Sequence, residues 1–229
     1  MKKVGIIGGL GPETTSKFYL DLIFSCQNRN KMHRPSIIIS SVPLPYLIEK
    51  EAISKNIGID RCLPFIINEA KILEKSGADF IVMPCNSLHI FIKEIRNSVK
   101  IPVLSIVEET VKFLKKNKFK KVGVVSTSAT IKNKLYETAF EKNNIVYEIP
   151  YKYKQTKIGK IVLNLVRGIK NDKGRNELFE IISQFKKKDV DCVILACTDL
   201  QLLLQKTPKL KIFDTMKIFE DAIVKRILE

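Results

Sequence analysis

Cys85 and Cys197 are the residues whose type and placement could do chemistry. Cys85 ends the apolar run of ADFIVMPCNSLH (Ala78 to His89), and Cys197 ends that of VDCVILACTDLQ (Val190 to Gln201). A polar pair suited to starting a helix follows each one, Asn86 with Ser87 and Thr198 with Asp199. A thiol at a helix N-terminus meets the positive end of the macrodipole and unpaired backbone N–H groups, which lower its pKa toward neutrality. General acid–base catalysis works best there. Two such thiols facing one substrate could take a proton from one face of a carbon and return one to the other. That inverts a stereocentre without a cofactor.

The elements that would position the thiols are legible as a repeat. The two cysteine segments align at an offset of 112 residues, and KKVGIIGG (Lys2 to Gly9) recurs as KKVGVVST (Lys120 to Thr127) at an offset of 118. Short β-branched runs alternate with longer amphipathic stretches: Val4 to Ile7, Ile37 to Val42, Phe80 to Met83, Val103 to Ile106, Val122 to Val125, Ile145 to Ile149 and Cys192 to Leu195. Apolar strands between helices predict parallel sheets covered on both faces. Helical stripes are formed by Phe18, Tyr19, Leu22, Ile23 and Cys26, and by Leu178, Ile181, Ile182 and Phe185. The expected fold is α/β, with two pseudo-symmetric doubly wound lobes and the site between them. Residues 1–109 with 212–229 are expected to form the first lobe and 110–211 the second. Such sheets bind ligands beyond the carboxyl ends of their strands, where both thiols stand.

The loop GGLGPETT (Gly8 to Thr15) offers backbone N–H groups at Gly9 and Gly11 and the hydroxyls of Thr14 and Thr15 for an anion, or serves only as a tight turn. It lacks both the GxGxxG spacing and a Walker lysine, so it is no nucleotide fingerprint. The equivalent turn in the second half, STSAT (Ser126 to Thr130), carries Thr127. Together these turns would grip a carboxylate and an ammonium group. His89, four residues after Cys85, either tunes the thiol or packs its ring against a loop. One of Glu108 and Glu109 is expected to orient a cleft residue, the alternative being plain first-turn acids. Cys192 aligns with Phe80 and reads as core, and Cys26 and Cys62 lack a polar neighbourhood.

Composition narrows the class. The 229 residues are 45% hydrophobic and 28% charged, as in a soluble globular chain. A net charge of +16 invites a nucleic-acid reading, but only seven of the 40 basic residues are Arg and the lysines scatter, so no nucleic-acid partner is expected. No run approaches the roughly 20 apolar residues of a membrane span, and MKKVGIIGG turns too early for a signal peptide, so a cytoplasmic location away from membranes is expected. The five cysteines form neither a CxxC nor a Cys/His metal spacing, so neither disulfides nor a metal are expected.

GGLGPETT, ADFIVMPCNSLH, IPVLSIVEET, KKVGVVSTSATI and VILACTDL, in this order, resemble the aspartate/glutamate racemase family of cofactor-independent amino-acid racemases, and aspartate racemase most closely. The resemblance implies a flavodoxin-like duplicated fold, an interlobe cleft, homodimers, no cofactor, and Cys85 and Cys197 as the acid–base pair acting on aspartate, or on aspartate and glutamate. It also implies that Gly9, Gly11, Thr14, Asn86, Ser87, Thr127 and Thr198 contact the small-molecule amino acid, with Lys170 at the cleft edge. Aspartate-specific members carry Pro-Asp-Arg after the second strand, where this chain reads VPLPYLIEKE (Val42 to Glu51). Lys50, Arg61 or Lys170 would then hold a distal carboxylate, or the substrate is not aspartate. Related folds hold maleate isomerases, hydantoin racemases and arylmalonate decarboxylases; two cysteines disfavour the last. A noncatalytic amino-acid-binding protein would keep the cleft without the reaction.

Overall fold

The computed structural model describes residues 1–30, 33–54, 57–204 and 210–229. Its first half runs β1 (Val4–Gly8), α1 (Pro12–Arg29), β2 (Ile37–Ser41), α2 (Tyr46–Ser54), α3 (Leu63–Lys75), β3 (Phe80–Val82), α4 (Ile92–Ser98) and α5 (Ile106–Lys116). The second half runs β4 (Lys121–Ser126), α6 (Ser128–Lys132), α7 (Leu135–Glu141), β5 (Val146–Glu148), α8 (Lys152–Val166), α9 (Asp172–Ser183), β6 (Cys192–Ala196), β7 (Ile212–Asp214) and α10 (Thr215–Leu228). Strand order is β2-β1-β3 in one sheet and β5-β4-β6-β7 in the other, and every pairing is parallel.

The repeat seen in the sequence is a repeat of register. Val4 faces Phe80 in the first sheet as Val122 faces Cys192 in the second, and Gly5 faces Ile81 as Gly123 faces Val193. The two mid-strand glycines serve the same purpose. A Cβ on Gly5 would come within 3.0 Å of Ala78 Cβ, and one on Gly123 within 2.8 Å of the Phe185 ring. Each glycine therefore lets the covering layer sit directly on its strand.

Burial explains why both sheets hold together as one body. Inward faces of β1, β3, β4 and β6 share a single apolar cluster with α1, α5 and α10, including Val4, Phe18, Val122, Ile194 and Phe219. Phe18 stacks on Phe219 at 6.4 Å between ring centroids. Phe18, Leu22 and Cys26 of the first helical stripe are buried, while Tyr19 is exposed; the second stripe is buried throughout.

Two expectations need correcting. The Val103 to Ile106 run is not a strand: Val103 makes one bridge to Ile81, and Ile106 already opens α5, because the Ser105 hydroxyl accepts the Glu108 N–H as a helix cap. The segment 212–229 does not go to the first lobe as a unit. Its strand β7 extends the second sheet beside β6, and its helix α10 packs between α1 and α5. Three residues, all half-buried, are too short a run to announce β7 in the sequence.

Candidate active site

Cys85 follows β3 and Cys197 follows β6 directly, so the parallel sheets deliver both sulfurs to the carboxyl ends of equivalent strands. Both line one interlobe cleft. Asn86, Ser87, Thr127 and Thr198 line it too. The residues beside each thiol are latched to the opposite half of the chain. Asn86 accepts a hydrogen bond from the Tyr136 hydroxyl and donates to Thr215 Oγ1 at 3.0 Å. Ser87 Oγ lies 2.8 Å from Thr127 Oγ1 and 3.2 Å from Thr130 Oγ1. Asp199, two residues past Cys197, accepts from Thr14 Oγ1 at 2.5 Å. Each lobe thus fixes the thiol of the other.

The glycine-rich turn divides its labour. Gly9 adopts φ 81° and donates its N–H to Thr15 Oγ1 at 3.0 Å, so that N–H is committed within the turn. At Gly11 a Cβ would come within 3.0 Å of Asp199 Oδ1, so the absent side chain allows this turn to close on the second lobe. Lys170 pairs with Glu13 and is not among the cleft-lining residues; neither are Lys50 and Arg61, the latter held by Glu51. Glu108 chelates Arg96 at 2.8 and 2.9 Å and Glu109 pairs with Lys112, and neither borders the cleft.

Electrostatics differ from the helix-dipole expectation. The segments after the thiols open as 3₁₀ turns, Ser87–Phe91, which runs on into α4, and Leu200–Leu203. Burial instead pushes Cys85 up to about 12 and raises Cys197 well above an ordinary thiol; the N–H groups of Leu88, and of Asp199 and Leu200, oppose this only in part. Cys85 also raises Cys197, so ionising one thiol holds the proton on the other. The pair therefore favours one thiol and at most one thiolate. His89 is buried and pushed down to about 4 by that burial. Its Nε2 accepts the Ile106 N–H at 3.1 Å, so Nδ1 donates to the Cys85 carbonyl at 2.7 Å. A neutral ring with both nitrogens bonded to backbone fixes the Cys85 turn and moves no proton.

Two carboxylates line the cleft, Asp199 of the polar pair after Cys197 and Glu49, which had no sequence signal beyond its type. Asp199 is only 7% exposed, and desolvation pushes it up to about 6 despite the Thr14 hydrogen bond, with Glu13 adding repulsion. Glu49 of α2 is raised by burial and by Asp199. Cys62 also lines the cleft, brought there by the 3₁₀ turn Ile59–Cys62. Among the described residues, no group of three or more His, Cys, Asp or Glu could hold a metal ion, and no helix is long and apolar enough to cross a membrane.

Asp199 has a signed pH consequence. Its folded pKa lies above its unfolded value of 3.8, so its contribution to stability is complete below pH 3.8 and is lost as pH rises through about 6. The loss amounts to about 3 kcal/mol at most. Asp199→Asn should therefore remove a fall in stability between pH 4 and 7 that the wild type shows, measured by urea denaturation of both proteins across that range. Parallel curves for the two would mean that Asp199 carries no such burden.

The profile of the Asp/Glu/Hydantoin racemase family matches residues 7–221. A broad specificity amino-acid racemase, RacX of Bacillus subtilis, is 30% identical over 205 residues, covering 88% of this chain and 87% of that protein. Glutamate racemase of Aquifex pyrophilus is 26% identical over 185 residues, covering 79% and 67%. Among solved structures, the aspartate racemase of Picrophilus torridus superposes with a TM-score of 0.81 at 29% identity, covering 99% of this chain and 94% of that one. An aspartate racemase homologue from Pyrococcus horikoshii superposes with a TM-score of 0.79 at 26% identity and full coverage of both chains.

Proposed function

The chain belongs to the Asp/Glu/Hydantoin racemase family, and on that premise we propose that it is a pyridoxal-phosphate-independent amino-acid racemase that inverts the α-carbon with Cys85 and Cys197. The observation that carries this reading is that equivalent positions of a structural repeat put one thiol from each lobe into a single cleft. The α-carbon sits between the sulfurs. One sulfur, as thiolate, takes the α-proton; the electron pair remains on the α-carbon and its carboxylate; the other thiol delivers its proton to the opposite face. The proton balance closes on the protein, with the two sulfurs exchanging roles.

Binding falls to the polar turns. The Ser87, Thr127 and Thr198 hydroxyls and nearby N–H groups receive the substrate carboxylate, where developing negative charge is stabilised. Asp199, supported by Thr14, receives the α-ammonium, whose charge offsets the burial that raises both thiols. Gly9 and Gly11 act by shaping the turn, and Asn86 by holding Cys85 in place. The relatives include aspartate and glutamate racemases, but the cleft lining does not favour an acidic substrate, because among the described residues it holds no Lys or Arg. The broad specificity of the relative from Bacillus subtilis fits that better than an acid-only enzyme does. A cytoplasmic homodimer completes this reading, and light scattering on the purified protein tests the dimer.

The test of the reaction is proton exchange. Purified protein incubated in deuterated water with a panel of L-amino acids should place deuterium at the α-carbon of at least one and produce its D-enantiomer. Binding without any α-deuterium would leave only the noncatalytic reading.

Lys170 has a separate expected outcome. Its pair with Glu13 ties the segment after α8 to the start of α1, with both side chains about 40% exposed (41% and 39%). Exposed pairs of this kind contribute about 0.2–1 kcal/mol, so Lys170→Ala should raise KM by no more than about 1.4- to 5-fold. The rise should be equal for acidic and neutral substrates, since Lys170 is engaged by Glu13 and is not among the cleft-lining residues that would meet a side-chain carboxylate. A loss confined to aspartate and glutamate in steady-state kinetics would assign it that carboxylate instead.

A further inference from the structure

We infer that the cleft selects an amino acid whose side chain ends in a cation, an ammonium or a guanidinium, with Glu49 as the carboxylate that receives it. The inference rests on the racemase reading for the placement of the α-carbon. Among the described residues, the charged ones lining the cleft are Glu49 and Asp199, both acidic. Among the described residues the Glu49 carboxylate has no hydrogen bond or ion pair, and the charge that acts on it is the negative charge of Asp199. Asp199 has the Thr14 hydroxyl as its hydrogen-bond donor and, again, a carboxylate, Glu13, as its charged neighbour. Burial raises both groups, Asp199 adds repulsion on Glu49 and Glu13 adds it on Asp199, so a cationic ligand gains in this lining what an anionic one loses.

An amino acid brings one α-ammonium and one α-carboxylate. Asp199 adjoins the Cys197 turn and takes the ammonium, and the hydroxyl cluster around Ser87 and Thr127 takes the carboxylate. Glu49 is left over, and it stands on the Cys85 side, where its field raises both Cys85 and Cys62. Around it the cleft wall is apolar: Leu44, Ala52, Ile59 and Cys62. An apolar sleeve ending in a carboxylate matches a methylene stem with a charged tip. An acidic side chain would instead place a third carboxylate against two, with no cation from the described residues in the lining.

The experiment compares L-lysine, L-ornithine and L-arginine with the neutral isostere L-norleucine and with L-aspartate and L-glutamate, on wild type and Glu49→Gln, by chiral chromatography. In the wild type, kcat/KM for lysine should exceed that for norleucine about tenfold or more, and that for glutamate by about 100-fold. Glu49→Gln should raise KM for the basic substrates about 10- to 100-fold while leaving norleucine and kcat nearly unchanged. Preference for glutamate or aspartate over lysine, or equal losses on lysine and norleucine in Glu49→Gln, would overturn the inference and leave the racemase reading standing. Thermal shift separates the two when no substrate turns over. Lysine raising Tm more than norleucine and glutamate, with the margin shrinking in Glu49→Gln, supports the cation site although the racemase reading has failed. No lysine-specific rise sinks the cation site itself.

Discussion

Cys85→Ala and Cys197→Ala should each abolish racemisation, lowering kcat/KM by about 10³-fold or more, since each variant loses the acid or base for one face of the α-carbon. Chemical loss is not the informative part. In the proposed mechanism each sulfur serves one side of the substrate, so a protein with one remaining thiol should still remove the α-proton of the enantiomer presented to it and return a solvent deuteron to the same face. The two variants should therefore wash deuterium into opposite enantiomers without inverting either, read by mass spectrometry after chiral separation. Cys192→Ala serves as the control: its side chain is buried in β6 at the position equivalent to Phe80, and its activity should match the wild type. Ordinary racemisation by Cys85→Ala or Cys197→Ala would make that cysteine structural.

The repeat and the thiol pair were legible because strands that are buried on both faces write themselves as apolar runs, and because a duplicated unit repeats its register. Lys2 to Gly9 against Lys120 to Thr127 already contained the β1/β4 equivalence that the sheet pairing displays. The site's charges were less legible. Glu49 lies on a helix that reads as an ordinary amphipathic segment, and its neighbours in space, Cys62 and Asp199, are remote in the chain. Spacing cannot announce a contact made by packing. The thiol pKa was hidden for a related reason: the sequence suggests a helix start after each cysteine, but how deeply packing buries the sulfur is not written in the local sequence, and burial outweighs the N–H groups that face it. The lysine and arginine expected to meet an acidic side chain were found engaged elsewhere, Lys170 by Glu13 and Arg61 by Glu51.

Asn86→Ala should cost both stability and turnover, because this side chain joins the Cys85 turn to the second lobe. Its amide accepts from the Tyr136 hydroxyl and donates to Thr215, which itself donates to the Leu195 carbonyl at 2.9 Å in the strand that carries Cys197. The two sulfurs are thereby set against each other through Asn86. Tyr136 is only 1% exposed, and burial raises its phenol, so the hydroxyl stays protonated and needs an acceptor. Truncating Asn86 to Ala removes both bonds and leaves a small void. The expected cost is about 2 kcal/mol, or about 6 °C in Tm for a chain of this size. Misplacing a reacting sulfur by a fraction of an ångström should lower kcat about 10- to 100-fold. A smaller rise in KM should accompany it. Tyr136→Phe discriminates positioning from direct substrate contact, since its hydroxyl is buried against Asn86 and Tyr136 is not among the cleft-lining residues. It should lower kcat in the same direction by a smaller factor, and the double variant should be little worse than Asn86→Ala alone, because both changes break one linkage. Full activity in Tyr136→Phe beside a crippled Asn86→Ala would mean that Asn86 acts on the substrate itself.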